Sequence, residues 1–213
     1  MHAPVACVIF LITIATSILS FNDKVLENKF ILHPWSLVRE KKWYTLITSG
    51  LIHGNIPHLL MNMLAFYYYG FILERLFVYE QGSHSPASWP EWLPAVVGRT
   101  KFFLMYMLSM VLADVTTILK NKDHPEYRAL GASGAISGMV MAFILLRPTE
   151  FKIFGLDAWI FGLIFLGVSY LFSKNQADNV NHEAHLWGGV SGAVLTLIFY
   201  PHVVGEIWER ITG

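Results

Sequence analysis

The 213-residue chain has a single cysteine, no surplus of either charge and few charged residues of any sign. The lone Cys7 excludes an intrachain disulfide framework and a multi-cysteine metal centre, and it reads as a small hydrophobe in the first apolar stretch. Fifteen Lys+Arg balance fifteen Asp+Glu, so no basic excess points to nucleic acid. Charged residues make up 14%, where a soluble domain carries about 25%. A dinucleotide fingerprint, a phosphate-binding loop, low-complexity tracts and a clear internal repeat are also lacking. The length suits one domain, 1–213.

What is present is apolar. Hydrophobic residues are 54% of the chain and the charges gather between long apolar runs, the distribution of a membrane protein. Spanning the hydrocarbon core takes roughly 20 helical residues. The expected fold class is therefore all-α and polytopic, with six transmembrane helices at about 3–21, 56–77, 102–119, 133–146, 157–173 and 184–200. No basic stretch precedes the first run, so it reads as a true span rather than a cleaved signal. Asn55 and Pro57 mark the start of the second helix. The segments 22–50, with Trp35 and Trp43, and 78–100, with three prolines and two tryptophans, read as interfacial loops.

In a six-span serpentine the second, fourth and sixth helices begin on one face. Those beginnings carry the polar residues: HGNIPHLLMN with His53, His58 and Asn62, GASG around Ser133, and HEAHLWGGVSG around His185. His58 and Asn62 are spaced i, i+4 and share a stripe, as do His185, Gly188 and Gly192 at i, i+3, i+7. Gly134 with Gly138, and Gly188 with Gly192, are small-xxx-small pairs that let helices approach closely in lipid. Packed along them, the fourth and sixth helices would bring a hydroxyl beside an imidazole. A serine needs such a base, and an imidazole can take the proton and return it to a leaving amine. His58, Asn62 and the Ser133 backbone N–H are suitable donors for an oxyanion. No carboxylate near the helix openings completes a triad, so a Ser133–His185 dyad is the economical expectation.

With these residues in place the chain resembles the rhomboid intramembrane serine proteases over nearly its whole length, in their compact six-helix form. HGNIPHLLMNM is similar to the rhomboid H-x4-H-x3-N pattern, GASG to the nucleophile motif and AHLWGGVSG to the H-x2-G-x3-G motif. Gly70 and Glu74 fall where rhomboids carry Gly-x3-Glu. The resemblance implies that Ser133 is the nucleophile, His185 the general base, and His58 and Asn62 the oxyanion site. It implies supporting roles for Gly131, Gly134, Gly188, Gly192 and Glu74, with His53 structural and bracing the 22–50 loop. The implied partners are the lipid bilayer and transmembrane protein substrates cut within or beside a helix, with no nucleic acid, cofactor or metal. The implied location is a cell (inner or plasma) membrane with the site opening outward. With the amino terminus inside, basic residues number six on inner segments and nine on outer ones, which leans weakly the other way.

Two departures stand out. Where rhomboids carry Trp-Arg before the first motif histidine the chain has Tyr44 and Thr45, which deprives Glu74 of its expected arginine. Where an aromatic follows the nucleophile by one turn the chain has Ser137, whose hydroxyl is placed to hydrogen-bond the catalytic imidazole instead. Each group also has a blander reading: Ser133 as packing serine, His58 and Asn62 as polar glue between helices, and Asp114 as an interfacial residue paired with a loop cation. HEAH, with His182, Glu183 and His185, is not the H-E-x-x-H zinc motif, and GASGA is not the G-x-S-x-G elbow. A catalytically inactive relative that binds transmembrane clients is the alternative function, and a small transporter a more distant one.

Overall fold

The computed structural model describes residues 2–175 and 180–212; residues 1, 176–179 and 213, which include both ends of the expected domain, lie outside them. The described chain is all-α apart from one hairpin. The long helices are α1 (Pro4–Asn22), α5 (Ile56–Ser83), α6 (Leu93–Asn121), α7 (Ser133–Leu146), α8 (Ala158–Asn175) and α9 (His182–Phe199). A helix thus occupies each of the six apolar segments. Short helices α2 (Lys24–Phe30), α3 (Pro34–Arg39) and α4 (Thr45–Thr48) and a 3-10 turn (Ser49–Leu51) fill the first connection. A final helix, α10 (Val203–Thr212), follows a bend of 106° after α9.

Among the described residues three helices, α1, α5 and α6, are long and apolar enough to cross a membrane, or four if the bent α9–α10 pair counts as one span. The expectation of six such helices is met only to that extent, because α7 and α8 are apolar but short. The shortness of α7 has a packing reason. From Gly134 to Ile144 every residue is buried, enclosed by α5, α6, α8 and α9, so this helix faces protein rather than lipid. Its core neighbours include Phe66, Leu73 and Phe77 of α5 and Phe102, Met105 and Tyr106 of α6.

The expected loop over 78–100 is a shorter connection, 84–92. Helix α5 runs on because Val78, Glu80 and Gln81 are buried there. Helix α6 starts early because Pro94 stands in its first turn, where the missing N–H costs nothing. At their crossing a Cβ on Gly98 would lie 2.7 Å from the Phe77 carbonyl, so only glycine allows the approach. The 22–50 segment is a chain of short helices rather than an irregular loop, and the first of them is capped. Asp23 accepts from the Val25 and Leu26 N–H groups, and Leu32 pairs with Ala129 through two backbone hydrogen bonds of 3.0 Å. Past α7, β1 (Lys152–Ile153) and β2 (Leu156–Asp157) form a hairpin whose turn holds both Phe154 and Gly155 at positive φ.

Candidate active site

Helices α7 and α9 form the most extensive contact in the bundle, and their glycines are the reason. A Cβ on Gly188 would collide with the backbone of Gly134, and one on Gly192 with that of Gly138. A Cβ on Gly138 would lie 3.1 Å from the Gly188 carbonyl. The two small-residue stripes therefore interlock backbone to backbone. Helix α6 joins them on its own small face, since the same hypothetical Cβ atoms would meet Ala113 at 2.6 Å from Gly134 and Ser109 at 2.5 Å from Gly138. This contact sets the first turn of α7, which carries Ser133, against the first turn of α9, which carries His185. The Ala184 carbonyl is 3.5 Å from the Cβ position of Gly134.

The approach to Ser133 is equally constrained. After the Leu32–Ala129 bridge the chain turns at Gly131, whose φ of +114° a side chain rarely tolerates. Its N–H donates to the Ser49 carbonyl at 2.9 Å, and its missing Cβ makes room for His58, whose Nε2 would be 2.9 Å away. His58 thus lies against the backbone that leads into Ser133. It is held there because Asn55 caps α5 by accepting from the His58 N–H at 2.8 Å. Asn62 lies one turn below, buried, and donates through Nδ2 to the His58 carbonyl at 2.9 Å. One of its two N–H bonds is thereby used, and the amide has a second.

His53 differs from expectation in what it braces. The 22–50 segment is tied by the Leu32–Ala129 bridge and by Arg39, which reaches the Asp123 carboxylate at 2.9 Å. His53 instead joins α1 to the turn before the serine. Its Nδ1 is 2.9 Å from Ser17 Oγ, and its Nε2 accepts from the Ala132 N–H at 3.4 Å. Because Nε2 accepts, Nδ1 carries the proton and the ring is neutral. Burial, reinforced by the neighbouring His58 ring at 4.9 Å, holds its pKa well below the usual histidine range, at about 3.

At the start of α9, Asn181 accepts from the Ala184 N–H at 3.1 Å and donates to Thr117 Oγ1 at 3.0 Å, fixing the helix opening to α6. The ring beside His185 comes from its own helix: His182 packs edge-on to it at 5.8 Å and in turn lies against Phe172. Ser137 does not take the place of the missing aromatic. Its hydroxyl donates back to the Ser133 carbonyl at 2.8 Å, the usual bond of a serine one turn into a helix. Ser133, His58 and His185 are half-buried, so none of them is sealed inside the bundle. Among the described residues the Ser133 hydroxyl makes no hydrogen bond. In unliganded enzymes catalytic hydrogen bonds are often long and tighten with substrate.

Glu74 does have a guanidinium partner. It is fully buried, with Arg99 Nε 3.4 Å from its carboxylate. Its other oxygen accepts from the Ala6 N–H at 2.7 Å, so Glu74 supplies the acidic cap that α1 lacks. Thr45 could not have served it. Thr45 sits before α5 begins, and Glu74 is about 27 Å further along that helix. Asp114 does not pair with a loop cation: it makes no ion pair among the described residues, and Lys120 of the same helix reaches Glu183 at 2.5 Å. Asn181 and Ser49 went unremarked in the sequence, and His182 entered only in the rejected metal motif. Only Asn181 left a signal, an N-cap residue directly before the apolar helix.

With this geometry in view, comparison with known proteins decides the family. The Rhomboid domain matches residues 40–202. The chain belongs to the rhomboid family. It is 26% identical over 185 residues to "RHOMBOID-like protein 12, mitochondrial" of Arabidopsis thaliana, covering 82% of this chain and 51% of that protein. It is 25% identical over 160 residues to "Rhomboid protease GluP" of Bacillus subtilis (strain 168), covering 74% of this chain and 27% of the relative. A third, "Putative rhomboid protease YdcA" of the same bacterium, is 25% identical over 161 residues, covering 76% and 69%. The chain thus spans about half the length of the first relative and about a quarter of the second. As a rhomboid with long apolar helices it is a polytopic integral membrane protein.

Proposed function

We propose that this protein is an intramembrane serine endopeptidase, with six membrane-crossing segments, that cuts membrane-anchored proteins within or beside a transmembrane helix. Ser133 Oγ attacks the scissile carbonyl while His185 takes its proton. The oxyanion that forms faces the Ser133 backbone N–H, His58 and the second N–H of the Asn62 amide. Collapse breaks the C–N bond as His185 returns the proton to the leaving amine. An acyl-enzyme remains, which water, deprotonated by His185, hydrolyses. His53, Gly131, Gly134, Gly188 and Gly192 hold the two reacting helices and the turn between His58 and Ser133. Glu74 anchors α1 at the other end. Neither metal nor cofactor has a part in this scheme.

The observation that carries the reading is the glycine contact of α7 with α9, which apposes the turns bearing Ser133 and His185. Three relatives whose names contain rhomboid support it. On this reading the site opens on the face opposite the amino terminus, outward from a cell membrane. A fluorophosphonate probe tests the reaction directly. Covalent labelling at Ser133, lost in both Ser133→Ala and His185→Ala, is the expected result. A folded protein that the probe leaves unlabelled would transfer the case to an inactive relative that binds transmembrane clients.

A further inference from the structure

The helices that bear Ser133, His58 and His185 end on a second polar cluster at the opposite end of the bundle. Glu80 and His84 lie one turn apart near the end of α5, Arg147 follows the last residue of α7, and His202 stands in the break between α9 and α10. About 25 Å of helix separates His202 from His185. One potential ligand atom from each of Glu80, His84 and His202 lies within 4.8 Å of the other two. We infer that these three residues form a binding site for a divalent transition metal of the zinc type, a property separate from the reaction proposed at Ser133.

The donor set is the first argument. Two imidazoles and one carboxylate are ligands of borderline-soft ions such as Zn²⁺, and are poorly suited to Mg²⁺ or Ca²⁺, which prefer all-oxygen shells. Three protein ligands leave a fourth position for water. The tautomer of His84 is the second. Its Nδ1 donates to the Glu80 carbonyl at 3.0 Å, which leaves the lone pair on Nε2. Metal-ligating histidines are commonly oriented by just such a bond from the other ring nitrogen.

The third argument is charge and room. Glu80 is almost fully buried, yet only one of its oxygens is held by Arg147, at 2.9 Å. The other is 3.3 Å from His202 Nε2, a position an ion would occupy in place of the shared proton. An adjacent cavity of about 300 Å³ is lined by Glu80, Glu150, Glu206, His84 and Arg147. Glu80 thus presents a carboxylate oxygen beside an open cavity, where a cation has access. The His84 and His202 rings stack at 3.6 Å between centroids. Tetrahedral ligation requires them to tilt and the donors to close by about 1 Å. His84 is exposed at a helix end and free to do so. An ion so held would fasten the end of α5 to the α9–α10 break.

The test uses the full-length protein in detergent, stripped by a chelator and titrated with Zn²⁺, then Co²⁺ and Mg²⁺, by calorimetry and thermal melting. One equivalent of Zn²⁺ should bind and raise Tm, Co²⁺ should substitute, and Mg²⁺ should have no effect. His84→Ala and His202→Ala should each weaken Zn²⁺ binding at least about tenfold. His124→Ala, a histidine elsewhere on the surface, should leave it unchanged. If an alanine variant does not elute as folded protein, His84→Gln and His202→Gln replace it. Absence of saturable Zn²⁺ binding by the wild type, or binding that both histidine variants retain in full, overturns the inference.

Discussion

The two ends of the bundle hold their polar groups by different means. At the Ser133 end, imidazoles, amides and hydroxyls are fixed by backbone groups and by the absence of side chains at Gly131, Gly134, Gly188 and Gly192. At the other end, charges are fixed by charges, Glu74 with Arg99 and Glu80 with Arg147, and His202 adds a contact to Glu80. The Ser133 end has ion pairs as well, Lys120 with Glu183 and Arg39 with Asp123, but none of them holds Ser133, His53 or His58. The opposite end does more of its fastening by charge, through the ion pairs of Glu74 and Glu80.

The sharpest test of this division sets one histidine against another. His185→Ala should lower Ser133 acylation by about 10⁶-fold, as loss of the base does in a soluble serine protease, with Tm little changed. His202→Ala should leave acylation within a few-fold of wild type. Equal losses from both would erase the distinction between the ends.

Next in size is Gly188→Val. The new side chain meets the Gly134 backbone, which cannot yield as a flexible side chain would. Overpacking of this kind costs about 3 kcal/mol, and a lowered chemical-denaturation midpoint together with lost probe labelling is the expected pair. Stability lost with labelling intact would mean that the helix contact does not position the site.

Glu74→Gln comes third. It removes the carboxylate that caps α1 and faces Arg99, hydrogen bonds to a charged group worth about 2 kcal/mol. Because Arg99 is one-third exposed, water takes over part of its stabilisation. Tm should fall while acylation per folded molecule is unchanged.

The smallest effect is in pH. His53 titrates at about 3 in the folded protein, whereas an unfolded histidine titrates near 6.5. As pH falls the unfolded chain takes up its proton first, so stability is full above about 6.5 and declines towards about 3. Thermal melting of wild type against His53→Gln over that range should show a shallower decline in the variant.

Much of the candidate site's layout was legible because helical spacing is local. His58 with Asn62, and His185 with Gly188 and Gly192, share stripes whatever surrounds them, and their common face, more than the serine alone, is what singles out Ser133. The companions of these residues were not legible. Whether the Ser137 hydroxyl turns to the imidazole or to its own helix, and whether His53 reaches the 22–50 segment or Ser17, depends on distances between segments remote in sequence. The same limit hid the far cluster. Reading 78–100 as a loop broke the helical register between Glu80 and His84, and nothing in the sequence places His202 beside them.

The sequence by itself determined that apolar helices form, where most of them begin, and which polar groups share the face where those helices start, because hydropathy, capping and the 3.6-residue period act over a few turns. Only the tertiary structure decided how far α5 and α6 extend, that α7 is shielded from lipid, which acid caps α1, and what each histidine touches. Those outcomes follow from backbone approaches and buried charge pairs between segments up to more than a hundred residues apart, and no short-range pattern encodes them.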